Sequence, residues 1–118
     1  MLRASSRKQN LEVRLDAISN PVTDSGVPAG AELLAAVDAT VLRDGLELDD
    51  ARNELVACVG EAGAVRAFAT MGNFEMMNRL LDGQGVMPGP DARPIGDEIG
   101  RPFVDPHATD HSGGVPAA

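Results

Sequence analysis

The chain has 118 residues and a formal net charge of −8 at pH 7. That length suits one domain, and the acidic balance argues against nucleic acid or an anionic membrane surface as a partner. A single cysteine excludes an intrachain disulfide framework.

Hydrophobic residues make up 43% of the chain, but aromatics only 3%, with no Trp or Tyr. Much of the apolar content is alanine, which brings little area. The core must be built from Leu, Val, Met, Ala and three Phe. Such a core is thin, since burial is worth roughly 25 cal/mol per Å² of apolar surface. Association with copies of itself would bury more. The N-terminus, MLRASSRKQNLEVR, has no apolar centre of the kind a signal peptide carries. No apolar run approaches the roughly 20 residues that a membrane span needs. The expected location is the cytoplasm, with no membrane partner.

Residues 4–19 are expected to form a first helix. Leu11, Leu15 and Ile18 stand at i, i+4 and i+7, on one helical face. Ser5 or Ser6 suits its N-cap, and Pro21 stops it near Ser19. Arg3, Arg7, Lys8 and Arg14 form a small basic group without interleaved aromatics, read as a solvated face. Residues 20–28, NPVTDSGVP, are rich in turn formers and read as a loop.

A second helix is expected from Ala29 to Asp44, with Leu34, Val37 and Val41 as its inner stripe, Leu33 beside them, and Gly45 in the left-handed position that ends helices. Asp49 or Asp50 then opens a third helix. Its apolar face is Ala51, Leu55, Cys58 and Val59, and Gly60 and Gly63 bracket a break. The fourth helix, Ala62 to Asp82, is closed by Gly83 and carries two of the three Phe and three of the five Met. Its apolar positions fall in two rows: Val65, Phe68, Gly72, Met76 and Leu80, and Ala64, Ala67, Met71, Phe74 and Leu81. A helix apolar on two sides is central, or is covered by a partner chain. Gly72 costs about 1 kcal/mol against Ala in a helix, and its use is to admit a close neighbour. Glu75 and Arg79 stand in the favourable i, i+4 order.

Residues 88–118 hold six of the eight prolines and five of the glycines. They read as an extended, partly disordered tail, in which Ile95 and Ile99 tack the first part onto the body. The expected organisation is a helical domain over residues 1–87 followed by this tail. The fold class is all-α, a small bundle of about four helices.

No complete catalytic constellation is legible. Cys58 reads as a packed core thiol, its pKa raised near a helix C-terminus. His107 and His111, with Asp105 and Asp110, have a metal-ligand spacing, but Pro106 and Gly113-Gly114 oppose the helix that spacing needs. Asp49, Asp50 and Glu54 are explained by a helix start. Gly83-Gln84-Gly85 follows a helix rather than preceding one, the reverse of a phosphate cradle. Met71, Met76, Met77 and Met87 read as core packing, with an adaptable pocket or partner surface as the alternative. Met71, Phe74, Asn78 and Arg79 are the candidate binding residues. No catalytic residue, metal ligand or cofactor is assigned.

The stretch LLAAVDATVLRDGLELDDARNELVACVGEAGAVRAFATMGNFEMMNRLLDGQGV resembles the C-terminal half of the carboxymuconolactone decarboxylase-like family, which includes the alkylhydroperoxidase D-like proteins. The resemblance lies in Ala36-Val37-Asp38, in Asp44-Gly45 before an Asp-led helix, in a dividing glycine, and in Asn78-Arg79 followed by Gly83-x-Gly85-Val86. The tail PGPDARPIGDEIG is similar too, so the likeness runs from about Leu11 to Ile99. It implies an all-α, alkylhydroperoxidase D-like fold that assembles into homo-oligomers. In the family, peroxidase activity rests on a Cys-x-x-Cys pair at a helix start, with a His after it and a Glu before it; none maps here, and Cys58 matches neither cysteine. The expectation is a non-catalytic or reduced relative acting as an oligomeric structural or binding module. Two alternatives stand beside it. One is a peroxidase-related protein whose redox centre comes from a partner chain or a missing N-terminal half, and the other is a binder of small hydrophobic ligands.

Overall fold

A computed structural model describes residues 2–105 of the chain. The fold is all-α, with no strand among the described residues. Its elements are α1 (Leu2–Lys8), a 3-10 turn (Leu15–Ile18), α2 (Gly30–Leu42), the long α3 (Gly45–Gly83), a second 3-10 turn (Pro90–Ala92) and the short α4 (Arg93–Glu98).

The first expected helix is cut short. Asn10 takes φ 53° and ends α1, and Ser5 and Ser6 lie inside the helix rather than at its start. Leu11 to Arg14 leave the helical path and run beside the following loop, where the Arg14 amide donates to the Ser25 carbonyl at 2.9 Å. This tertiary pairing overrides the helical spacing of Leu11, Leu15 and Ile18. Leu15 and Ala17 are still buried, from the 3-10 turn, but Ile18 is exposed. Arg7, Lys8 and Arg14 are exposed as expected, and Arg14 pairs with Asp16 at 2.6 Å.

Helix α2 ends through Arg43, not Gly45. Arg43 adopts the left-handed conformation (φ 57°), and the amides of Arg43 and Asp44 return to the carbonyls of Thr40 and Ala39. The Asp44 side chain then accepts the amides of Leu46 and Glu47 at 3.1 and 3.2 Å. One short corner therefore closes α2 and caps α3. Asp49 and Asp50, expected to open the next helix, lie within it.

The expected break is present at Gly60, whose φ of 76° and ψ of 168° are outside the helical region. It divides α3 into a proximal segment, residues 45–59, and a distal segment, residues 61–83. The helix ends one turn-signal later than expected: Gly83 stays helical and Gly85 takes the positive φ of 67°. The Val86 amide reaches back to the Leu81 carbonyl at 3.0 Å and closes the end.

The core sits where α2 crosses both segments of α3. It consists of Ala36, Ala39, Ala51, Leu55 and Ala64, with Leu33, Leu48, Val56, Ala67 and Phe68 packed around it. Four of these five buried residues are alanine. Small side chains let helix axes approach, so the seam itself is alanine. The larger residues expected there, Val37 and Val41, are displaced to its exposed edge, and Leu34 is only half-buried. The thin core leaves an open molecule: the radius of gyration is 18.0 Å, against about 13.5 Å for a compact chain of this length.

Residues 90–98 are not the extended tail expected; they fold into the second 3-10 turn and α4. The Ser19 hydroxyl donates to the Ile99 carbonyl, and Arg93 lies over the Phe103 ring at 5.2 Å. Ile99 is half-buried while Ile95 is 45% exposed, so the tacking runs through Ser19 and Ile99. By length and composition α3 also meets the requirement for crossing a membrane, with an 18-residue window of mean hydropathy 1.3. The expectation that no apolar stretch approaches a membrane span therefore does not hold for this helix, because average hydropathy tolerates the two charges within the window. Mostly buried core helices of soluble proteins meet the same requirement, but only 11% of this window is buried.

Candidate functional site

The distal segment of α3 runs past α2 without being covered by it. Ala64 and Phe68 turn toward α2 and the core. One helical step to the side, Met71 and Phe74 face the exposed edge of α2, where Val37 and Val41 stand. Between these two edges lies an apolar groove of about 480 Å³, floored by Leu55 and Ala36. Its polar margin is Arg66, Thr70 and Glu75. The Thr70 hydroxyl, on that margin, donates to the Arg66 carbonyl at 2.8 Å and is satisfied within the helix.

Two of the four candidate binding residues are thereby brought together. Met71 is half-buried and Phe74 is 46% exposed, both on the groove wall. Asn78 and Arg79 are exposed and lie outside the groove. Arg79 approaches Glu75 at 3.8 Å, the helix pair its spacing implies. Such a pair supports the helix by roughly 0.2–0.5 kcal/mol. Val37 and Val41 were the groove residues missed at the sequence level. They carried the right signal, β-branched residues four apart, but were assigned to the core.

Three of the four methionines read as core are instead exposed: Met76 at 63%, Met77 at 45% and Met87 at 39%. Cys58 is also exposed rather than packed in the core. Its thiol is pushed above the usual range by local desolvation first, then by a hydrogen bond to Glu32, with the charges of Glu32 and Glu54 adding to the effect. A thiol held protonated is a poor nucleophile. No residue of the pattern that activates cysteine, a cation or a second thiol, is among these neighbours.

The acidic residues Asp49, Asp50 and Glu54 are exposed on proximal α3, and Asp49 is engaged by Arg52 at 2.9 Å. Among the described residues no group of three or more His, Cys, Asp or Glu side chains is placed to hold a metal ion. His107 and His111 lie outside the described residues. The arrangement as it stands can bind apolar surface. No protein-family model matches the chain, and it matches no curated protein and no solved structure.

Proposed function

We propose that this protein is an oligomeric binding or structural module, a relative of the carboxymuconolactone decarboxylase-like family without that family's redox centre. The observation that carries the reading is the apolar groove between α2 and distal α3, open along a helix whose large side chains are exposed. Kinship with the family rests on the sequence resemblance alone, which runs from about Leu11 to Ile99 and is carried mainly by Leu33 to Val86. A cytoplasmic place is part of the reading. It is supported by Glu61 and Arg66, which interrupt the apolar part of α3; charged residues near a bilayer centre cost about 2.5–3.5 kcal/mol each on insertion scales.

Peroxide consumption by the purified protein with a dithiol reductant, read beside light scattering, is the test. No turnover and a mass of two or more chains are expected. Turnover, or a stable monomer across the concentration range, overturns the reading.

A narrower version is that the groove takes a small hydrophobic ligand. Its volume falls in the range of small-molecule sites, about 300–1,000 Å³, and Met71 supplies an adaptable wall. A thermal-shift screen with fatty acids and aromatic hydrocarbons should raise the midpoint, and the rise should shrink in Met71→Ala relative to that variant's own ligand-free midpoint. A flat screen counts against it.

A further inference from the structure

On the side of distal α3 away from the groove, Val65, Ala69, Gly72, Met76 and Leu80 recur every three or four residues and form one stripe. All five are exposed, with Val65 at 64%, Met76 at 63% and Leu80 at 59%. Phe68, one position from Ala69, turns instead to the core. Arg79, seven residues after Gly72, flanks the stripe beside Leu80, where Glu75 approaches it at 3.8 Å. At the centre of the stripe, a side chain built on Gly72 would meet nothing within 4 Å. The glycine is therefore not required by any neighbour in this chain, although it weakens the helix.

We propose that a second copy of the chain packs antiparallel on this stripe, with the two helices crossing at Gly72. The proposal rests on the oligomeric part of the functional reading and names the face that serves it. Two observations favour a copy of the chain over another occupant.

The first is self-complementarity. Counting from Gly72, Ala69 lies three residues before and Met76 four after, while Val65 lies seven before and Leu80 eight after. Antiparallel pairing about Gly72 sets the small Ala69 against the large Met76, brings Val65 against Leu80, and leaves Gly72 against its own copy. The same patch then meets itself, as a two-fold interface requires. Parallel pairing would set Met76 on Met76 and leave Ala69 facing Ala69. Gly72 at the crossing lets the axes come closer than the usual 8–10 Å.

The second is area. The chain exposes 9313 Å² for a mass of 12.3 kDa. A compact monomer of that mass exposes about 6,100 Å². The excess belongs to the whole chain and is not confined to the stripe; it leaves room for the roughly 800 Å² per partner that a stable dimer buries.

The experiment compares wild type, Gly72→Leu, and Val65→Glu/Leu80→Glu by sedimentation equilibrium over a concentration series, with far-UV circular dichroism on each. Leucine at position 72 has free space in the isolated chain and favours helix, so folding is not threatened. Wild type is expected to be a dimer or a multiple of one. Gly72→Leu should weaken the dimer about 10- to 100-fold through overpacking at the crossing, with helicity kept or raised, and the double glutamate variant should be monomeric. A wild type that stays monomeric overturns both this proposal and the oligomeric reading. A dimer that is indifferent to Gly72→Leu and to the glutamates, but is lost in Phe74→Glu, overturns this proposal alone and moves the interface to the groove.

Discussion

The carbonyl oxygen of Glu12 occupies the place where a side chain on Gly26 would begin. Gly26 also has φ 73°, a conformation that favours glycine. The contact lies beside the Arg14–Ser25 hydrogen bond, so it holds the extended segment 11–14 against its loop. Gly26→Ala should destabilise the protein by about 1–3 kcal/mol, through left-handed strain and backbone displacement. Gly45→Ala is the counterpart: it lies at a helix start with no atom within 4 Å of the added carbon. It should gain about 0.4–1 kcal/mol by restricting the unfolded chain. Urea midpoints of the two variants should move in opposite directions, and movement in the same direction would count against the packing of the loop.

Leu55 is the one large side chain among the described residues with no exposure. It touches the alanine seam and floors the groove. Leu55→Ala should cost about 2–5 kcal/mol, the usual range for a leucine truncated in a core. Leu46 is 84% exposed, and Leu46→Ala should stay within about 0.5 kcal/mol of wild type. Equal losses in the two variants would place the core elsewhere.

Asp44→Ala removes the side chain that accepts the Leu46 and Glu47 amides. A loss of about 0.5–2 kcal/mol is expected. Asp50→Ala, an exposed position inside the helix, should change stability little or favour the helix. Thermal melts of the pair decide whether α3 starts at Gly45 or four to five residues later.

Cys58 should react slowly with a disulfide reagent at pH 7 despite its exposure, and quickly only above the usual thiol pKa of about 8.5. Glu32→Gln removes a neighbouring charge that holds the thiol protonated. The rate at pH 8 should therefore rise in that variant. The linkage has a definite sign: folding raises the pKa, so the contribution to stability is complete below the unfolded-state value and is lost as pH rises through the folded-state value. Identical rate–pH curves for wild type and Glu32→Gln would remove Glu32 from the account.

What could be read from the sequence was what local chemistry decides. Apolar spacing located α2 and distal α3, and Gly60 marked the break between helical segments. The misreadings arose where distant parts of the chain compete with local preference. Leu11, Leu15 and Ile18 have helical spacing, yet the pairing of Arg14 with Ser25 draws the chain straight. Gly45 and Gly83 looked like the terminators, while Arg43 and Gly85 take the left-handed positions two residues away. Valines 37 and 41 resembled core residues because they outweigh Ala36 and Ala39 in area. Interaxial distance, which a sequence does not display, reversed that order. The same reversal turned two presumed core residues into the wall of the groove, beside Met71 and Phe74 from the second apolar row of the helix.

The alanine seam has a consequence for how this protein can drift. At Ala36, Ala39, Ala51 and Ala64 the fold selects for smallness rather than for hydrophobicity. Valine or leucine there would force the helices apart, at about 1–3 kcal/mol per site, whereas glycine or serine would fit the gap. Neutral variation at these four positions should therefore run among Ala, Gly and Ser, while the bulky residues on either side of the seam exchange freely with one another. A library randomised at Ala39 and at Val41, sorted for folded protein, would display that contrast directly.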